Sequence, residues 1–217
     1  MISWYVIGEF RQFARLLTAE SGAGVNEVKM TNESLKTVTF ETTPNPNTMK
    51  FNFQFQFQDN GFECKSFDEA EKSPLAQKLF GFPWTASVYL GTNSISVTKQ
   101  DWVDWEILAK PLANLIQEHL QSGQPLIIES VAVTDDADEN DSPIVRKIKS
   151  IIKTDIQPVV ALDGGQIVFH SFENGVLSVQ MKGSCAGCPS SMATLKDGIE
   201  VRMKELLPEV KEVVAAN

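Results

Sequence analysis

Apolar and polar positions alternate strictly over one stretch of the chain. Phe51, Phe53, Phe55 and Phe57 are separated by Asn52, Gln54 and Gln56, with Gln58 following, and a period of two predicts a strand with one buried and one wet face. The Phe stripe is therefore read as core. Before it, Pro44-Asn45-Pro46-Asn47 predicts a rigid turn. Val88-Tyr89-Leu90 and Ile95-Ser96-Val97 flank Gly91-Thr92-Asn93 and predict a β-hairpin. A short helix is expected from Pro74 to Phe80. A longer one is expected from about Asp104 to Gln121, carrying Ile107, Leu108, Leu112, Leu115 and Ile116.

Farther along, the period lengthens. Ser142 is a candidate N-cap and Pro143 suits the first helical position, where its missing N–H costs nothing. Ile144, Ile148, Ile151, Ile152 and Ile156 recur at helical spacing, with Pro158 kinking or ending the helix. After Asp163-Gly164-Gly165 come two strand-like runs, Ile167 to His170 and Val176 to Met181, joined around Glu173-Asn174-Gly175. Leu177, Val179 and Met181 face one way in the second run, and Ser178, Gln180 and Lys182 the other. A second helix carries Met192, Leu195, Ile199, Met203 and Leu206, and Val210 to Val214 predicts a last strand. The expected class is α+β, with two small domains, the second in the order α-β-β-α-β.

The boundary between them is compositional. Asp135, Asp136, Asp138, Glu139 and Asp141 crowd a stretch without large apolar side chains, which repels itself and buries nothing. This predicts an acidic, solvated linker over 134–142, between domains at 31–133 and 143–217. Residues 1–30 form an N-terminal extension. Ile7, Phe10, Ala14 and Leu17 there have helical spacing, and Arg11 and Arg15 bring in a mitochondrial transit peptide, but Glu9, Glu20 and Glu27 count against that. A loosely ordered extension is the favoured expectation, with Met30 as an alternative start.

Composition narrows the function. Among 217 residues, 19 Lys and Arg against 28 Asp and Glu give a net charge of −9, which offers no footprint for a phosphate backbone, so no nucleic-acid partner is expected. No apolar run approaches the roughly 18 residues of a bilayer span, so no membrane partner is expected either. Three cysteines are too few for a disulfide framework and fit a reducing compartment. The cytoplasm is the expected location, with the mitochondrial matrix as the alternative.

The chemistry concentrates in Gly183-Ser184-Cys185-Ala186-Gly187-Cys188-Pro189-Ser190-Ser191. Two thiols two residues apart can share one metal centre, and the glycines let the backbone turn tightly enough to aim both. Pro189 or Ser190 should open the following helix, placing Cys188 beside its N-terminus, where the dipole favours the thiolate. A cubane iron–sulfur cluster or a structural zinc ion takes about four protein ligands, and this loop supplies half of them. Cys64 is read as a buried small residue. His119, expected at the surface or as a cap, and His170 have no ligand partner at a diagnostic spacing. Two loops facing each other in a symmetric dimer is the simplest completion. Half a zinc site, a thioredoxin-like redox pair and two structural thiols remain open on spacing alone.

The run Asp163-Gly164-Gly165, the loop Gly183 to Ser191, Leu195-Lys196 and Leu207-Pro208-Glu209-Val210 resembles the C-terminal domain of NifU/Nfu iron–sulfur cluster proteins, over about residues 143–215. Independently, Thr43 to Phe51, Ser73-Pro74-Leu75-Ala76 and Val97-Thr98-Lys99 resemble the N-terminal domain that accompanies it in two-domain Nfu proteins. The resemblance implies that Cys185 and Cys188 are the metal and cluster ligands. It implies a labile [4Fe-4S] cluster, or a [2Fe-2S] one, received from an upstream donor, held between two subunits of a homodimer and passed to apo-protein clients. No catalytic residue and no enzyme activity are implied. Gln166 departs from the family, which often has an acidic residue there. A C-x-x-C thiol–disulfide oxidoreductase is the rival expectation, and a zinc-bridged interaction module the third.

Overall fold

The computed structural model describes residues 37–57, 61–128, 141–187 and 189–216, the side chains of 189–191 excepted. The N-terminal extension, most of the acidic linker and Cys188 lie outside the described residues.

The first domain is a five-stranded antiparallel sheet with helices on one face. Its strands are β1 (Thr39–Thr42), β2 (Thr48–Asn52), β3 (Phe62–Cys64), β4 (Thr85–Leu90) and β5 (Ser94–Lys99), in the order β1-β2-β5-β4-β3. The expected hairpin is β4 and β5, in which Leu90 pairs with Ile95 and Val88 with Val97. Helix α1 (Pro74–Phe80) is capped by Ser73, whose hydroxyl accepts from the Ala76 N–H at 3.1 Å. Leu75 and Leu79 of α1, and Leu112 and Ile116 of α2 (Trp105–Gln121), join Phe51, Ile95 and Val97 in one apolar core. Trp105 packs edge-on against Phe51 and donates its indole N–H to the Pro46 carbonyl at 3.2 Å, whereas Trp102 is exposed.

The phenylalanine stripe departs from expectation. Strand β2 ends at Asn52, and Phe53 to Phe57 continue without a strand partner over that stretch. The backbone N–H of Phe53 bonds to the Asn93 carbonyl at the hairpin tip instead, so the chain leaves the sheet while Phe53 stays buried and stacks on Phe55 at 4.4 Å between centroids. Apolar contact outlasts the ladder. Strands β1 and β3 escaped the sequence pattern: the first is exposed along its length and the second has three residues.

In the second domain, α3 (Pro143–Ile151) runs through one wide π turn (Ile152–Ile156) into α4 (Gln157–Leu162). The Gln157 N–H reaches back to the Ile152 carbonyl across that turn, which lets Pro158, with no N–H to donate, sit inside the helix instead of ending it. Strands β6 (Gly165–Glu173) and β7 (Val176–Gly183) form a hairpin whose turn holds Asn174 and Gly175 at positive φ, 54° and 89°. Strand β8 (Glu212–Ala215) pairs parallel to β7. Helix α5 (Pro189–Leu206) crosses from β7 to β8 and buries Ile199 and Met203 on the sheet. Leu206 is exposed, and Leu207 takes the buried place at the helix end. The order α-β-β-α-β holds, and the fold is α+β.

Five residues, one per strand, cross the first domain's sheet in register: Glu41, Lys50, Ser96, Tyr89 and Glu63. Lys50, Ser96 and Tyr89 alternate with the core residues Phe51, Ile95, Val97, Val88 and Leu90, on the opposite face of the sheet. The second domain covers that face at Lys50, Ser96, Tyr89 and Glu63, while Glu41 on the edge strand stays exposed.

Candidate cluster-binding loop

Strand β7 delivers the chain into the cysteine loop through Gly183, whose φ of +66° is closed to most side chains. The Ala186 N–H turns back to the Gly183 carbonyl at 3.1 Å, and the Ser184 N–H bonds to the Gly164 carbonyl at 3.2 Å. The Asp163-Gly164-Gly165 segment therefore braces the loop from the opposite strand. Its second glycine leaves room for the cysteine, because a Cβ on Gly165 would overlap Cys185 Sγ.

Cys185 is 6% exposed and packs into the apolar core of the second domain with Ile167 and Met181. Burial pushes its thiol up to about 11, against a smaller opposing effect of the Ser184 hydroxyl 4.0 Å away; the Asp163 and Glu63 carboxylates raise it further. At neutral pH Cys185 is a thiol in this arrangement. Helix α5 opens at Pro189, one residue past the motif. The expected place of Cys188 at that helix start lies outside the described residues.

Cys64 is not brought to the loop. It is fully buried in β3, its thiol donates to the Val88 carbonyl at 3.6 Å, and burial holds it at about 12. His119 corrects the surface expectation. It is 1% exposed in the first domain, with Nδ1 at 3.2 Å from Lys78 Nζ. His170 is exposed on β6, at the irregularity in its pairing with β7. Among the described residues, no three His, Cys, Asp or Glu side chains gather as a metal site. No described helix is long and apolar enough to cross a membrane.

Sequence reasoning missed the residues that hold the loop from outside. Asn45 Nδ2 donates to the Ala186 carbonyl at 3.1 Å, and the Gly183 N–H donates to Glu63 Oε1 at 2.8 Å. Lys50 Nζ donates to the Leu162 carbonyl at 2.6 Å, and the Ser96 hydroxyl to the Gly164 carbonyl at 2.6 Å. The Tyr89 hydroxyl donates to Gln166 Oε1 at 3.5 Å, and burial, with the Glu63 charge second, keeps that phenol protonated well beyond its usual range. The signal available was the polar residue at every second place in β2 and β5.

A loop with a buried thiol, turned by glycines and leading into a helix, makes the second of two α+β domains a small domain built around a C-x-x-C motif. The profile described as "Scaffold protein Nfu/NifU N terminal" matches residues 38–123, and the one described as "NifU-like domain" matches residues 148–214. The human "NFU1 iron-sulfur cluster scaffold homolog, mitochondrial" is 37% identical over 66% of this chain and 57% of its own length. Its counterpart in Drosophila sechellia is 32% identical over 89% of this chain and 70% of its own length, and "NifU-like protein 5, mitochondrial" of Arabidopsis thaliana is 36% identical over 81% and 66%. The chain belongs to the Nfu/NifU scaffold family. It matches 57% of the length of the human relative and 63% of the Drosophila ananassae one. A solution structure of a NifU-like protein from Saccharomyces cerevisiae aligns with 51% of this chain and 96% of its own at 22% identity, with a TM-score of 0.38, too loose to add to the assignment.

Proposed function

We propose that this chain is an iron–sulfur cluster carrier in which Cys185 and Cys188 each donate a thiolate to a [4Fe-4S] cluster shared with the same two residues of a second copy. The cluster is cargo. One observation carries the proposal: the motif belongs to a chain of the scaffold family, and the sequence's remaining cysteine, Cys64, is buried in β3 of the first domain, away from the loop. A cluster needing about four thiolates must then draw on a second subunit. Release follows by ligand exchange. A client thiol loses its proton, its thiolate takes the place of a carrier thiolate on iron, and the freed carrier thiolate takes up a proton. No general acid or base is needed for this exchange.

Residues 31–133 and 143–217 are the two working units in this account, with 134–142 as the joint. The partners are an upstream donor and apo-protein clients. The named relatives are mitochondrial, which favours the matrix over the cytoplasm expected from the cysteine count. The thiol–disulfide alternative is disfavoured by the fold, because the motif follows a helix and an antiparallel hairpin and does not lie near a first βαβ unit.

Anaerobic reconstitution with ferrous iron and sulfide tests the proposal. Expected are broad visible absorption, about four iron atoms per dimer and loss of both in Cys185→Ser and in Cys188→Ser. A monomer holding the full iron load, or a Cys185→Ser variant that keeps its colour, overturns it.

A further inference from the structure

The bonds between the two domains converge on two short segments, 162–166 and 182–186, that flank and contain Cys185. The carbonyls of Leu162 and Gly164 lie at and just past the C-terminal end of α4, where unpaired helix carbonyls carry partial negative charge. Lys50, 7% exposed, brings an ammonium to the first, and Ser96, 1% exposed, brings a hydroxyl to the second. Glu63 receives the Gly183 N–H, Lys182 Nζ donates to the Gly61 carbonyl at 3.2 Å, and Asn45 donates to the Ala186 carbonyl. Donors and acceptors are matched across the contact.

Glycines mark where the surfaces meet most closely. A Cβ on Gly164 would come within 2.5 Å of Ser96 Oγ and 3.0 Å of Lys50 Cδ; one on Gly183 would come within 2.8 Å of the Tyr89 ring; one on Gly61 would come within 2.6 Å of the Gln166 side chain. The contact thus has both polar complementarity and steric fit. It also occupies the loop that a second copy would have to approach.

We propose that the polar face of the N-terminal sheet, Lys50, Ser96, Tyr89 and Glu63 with Asn45 at its edge, is a docking surface for the cysteine loop of its own chain, and that this docked state and the cluster-bridged pair of loops exclude one another. The docking stands on the contacts alone; the exclusion rests on the function proposed above. In the docked state the N-terminal domain holds the loop backbone on either side of Cys185, at Gly183 and Ala186, when no cluster is held. Cluster arrival and domain separation are then one event, and a client competes with the chain's own first domain for the emptied loop.

Iodoacetamide labelling of the full-length apo-protein, read by peptide mapping, tests the docking. Cys185 in the wild-type chain is expected to label slowly. Ser96→Arg, which pushes a large cation against the Gly164 carbonyl, and Lys50→Glu, which sets a carboxylate against the Leu162 carbonyl, are expected to speed its labelling about tenfold or more, since the rate follows the population of the opened state. Cys64, buried in the other core, reports unfolding and should stay unlabelled. Unchanged Cys185 labelling with Cys64 silent overturns the docking. Should both variants unfold, hydrogen exchange of the unaltered apo-chain decides: a protected Gly183 amide supports the docking, and one exchanging as freely as an exposed loop overturns it. After anaerobic loading with iron and sulfide, that amide is expected to lose protection. An iron-loaded dimer that retains it overturns the exclusion. Failure of every variant to take up iron overturns the cluster function, and the exclusion with it, while the labelling measured without iron still decides the docking.

Discussion

Gly165 faces Cys185 so closely that the sulfur occupies the volume a methyl group on the glycine would need. The first residue of β6 is thereby tied to the cysteine loop at the end of β7, and the glycine pair after Asp163 becomes part of the site without offering a ligand.

Gly165→Ala should therefore displace Cys185 while leaving the motif intact. Overpacking of this kind costs about 1–3 kcal/mol. A lower denaturation midpoint is expected together with weaker iron retention after anaerobic reconstitution. Wild-type stability with wild-type iron content would refute the contact.

His119 sets a pH dependence in the first domain. Burial first, and the Lys78 ammonium second, hold its imidazole below the usual histidine range. Folding therefore favours the neutral ring. As pH falls through about 6.5 the unfolded chain takes up a proton that the folded chain refuses, so stability declines from there down to the lowered folded value. His119→Gln should flatten this acid-side decline. Urea midpoints between pH 7 and pH 5, followed by tryptophan fluorescence, check it; an equally steep decline in the variant counts against the assignment.

Met203 is fully buried in α5, against the core of the second domain. Truncation to Ala removes contacts that the surroundings only partly refill, at about 2–5 kcal/mol. A midpoint shift of that size is expected in chemical denaturation followed by exchange of β6 and β7 amides. A shift below about 1 kcal/mol would mean that the helix packs elsewhere.

Ser73 caps α1 from a fully buried position. Ser73→Ala should destabilise the first domain by about 0.5–2 kcal/mol, and Ser73→Asp should recover part of the loss if the buried cap accepts the larger carboxylate. Equal stability of wild type and Ser73→Ala would show the cap to be idle.

Legibility in the sequence followed the range of the interaction that forms each element. Helix α1 and the β4–β5 hairpin are local, and Ser73-Pro74 and Gly91-Thr92-Asn93 announce them. Strand β1 has no local signal, because it is held by its ladder with β2 and exposed on both sides. At Asn52 the alternation ran on although the strand did not, since Phe53 is retained by the apolar core after its backbone turns to Asn93. His119 stood apart from any ligand pattern, and its burial against Lys78 depends on how α2 packs beside α1.

By itself the amino-acid order determined the α-β-β-α-β succession of the second domain and the place of the C-x-x-C motif between its second strand and second helix, because period, turn chemistry and motif spacing act over a few residues. Only the tertiary structure decided that Lys50, Ser96, Tyr89 and Glu63 face protein and not water. A period of two separates the faces of a strand but is silent about what lies against each, and here the contacts join residues more than sixty positions apart in the chain.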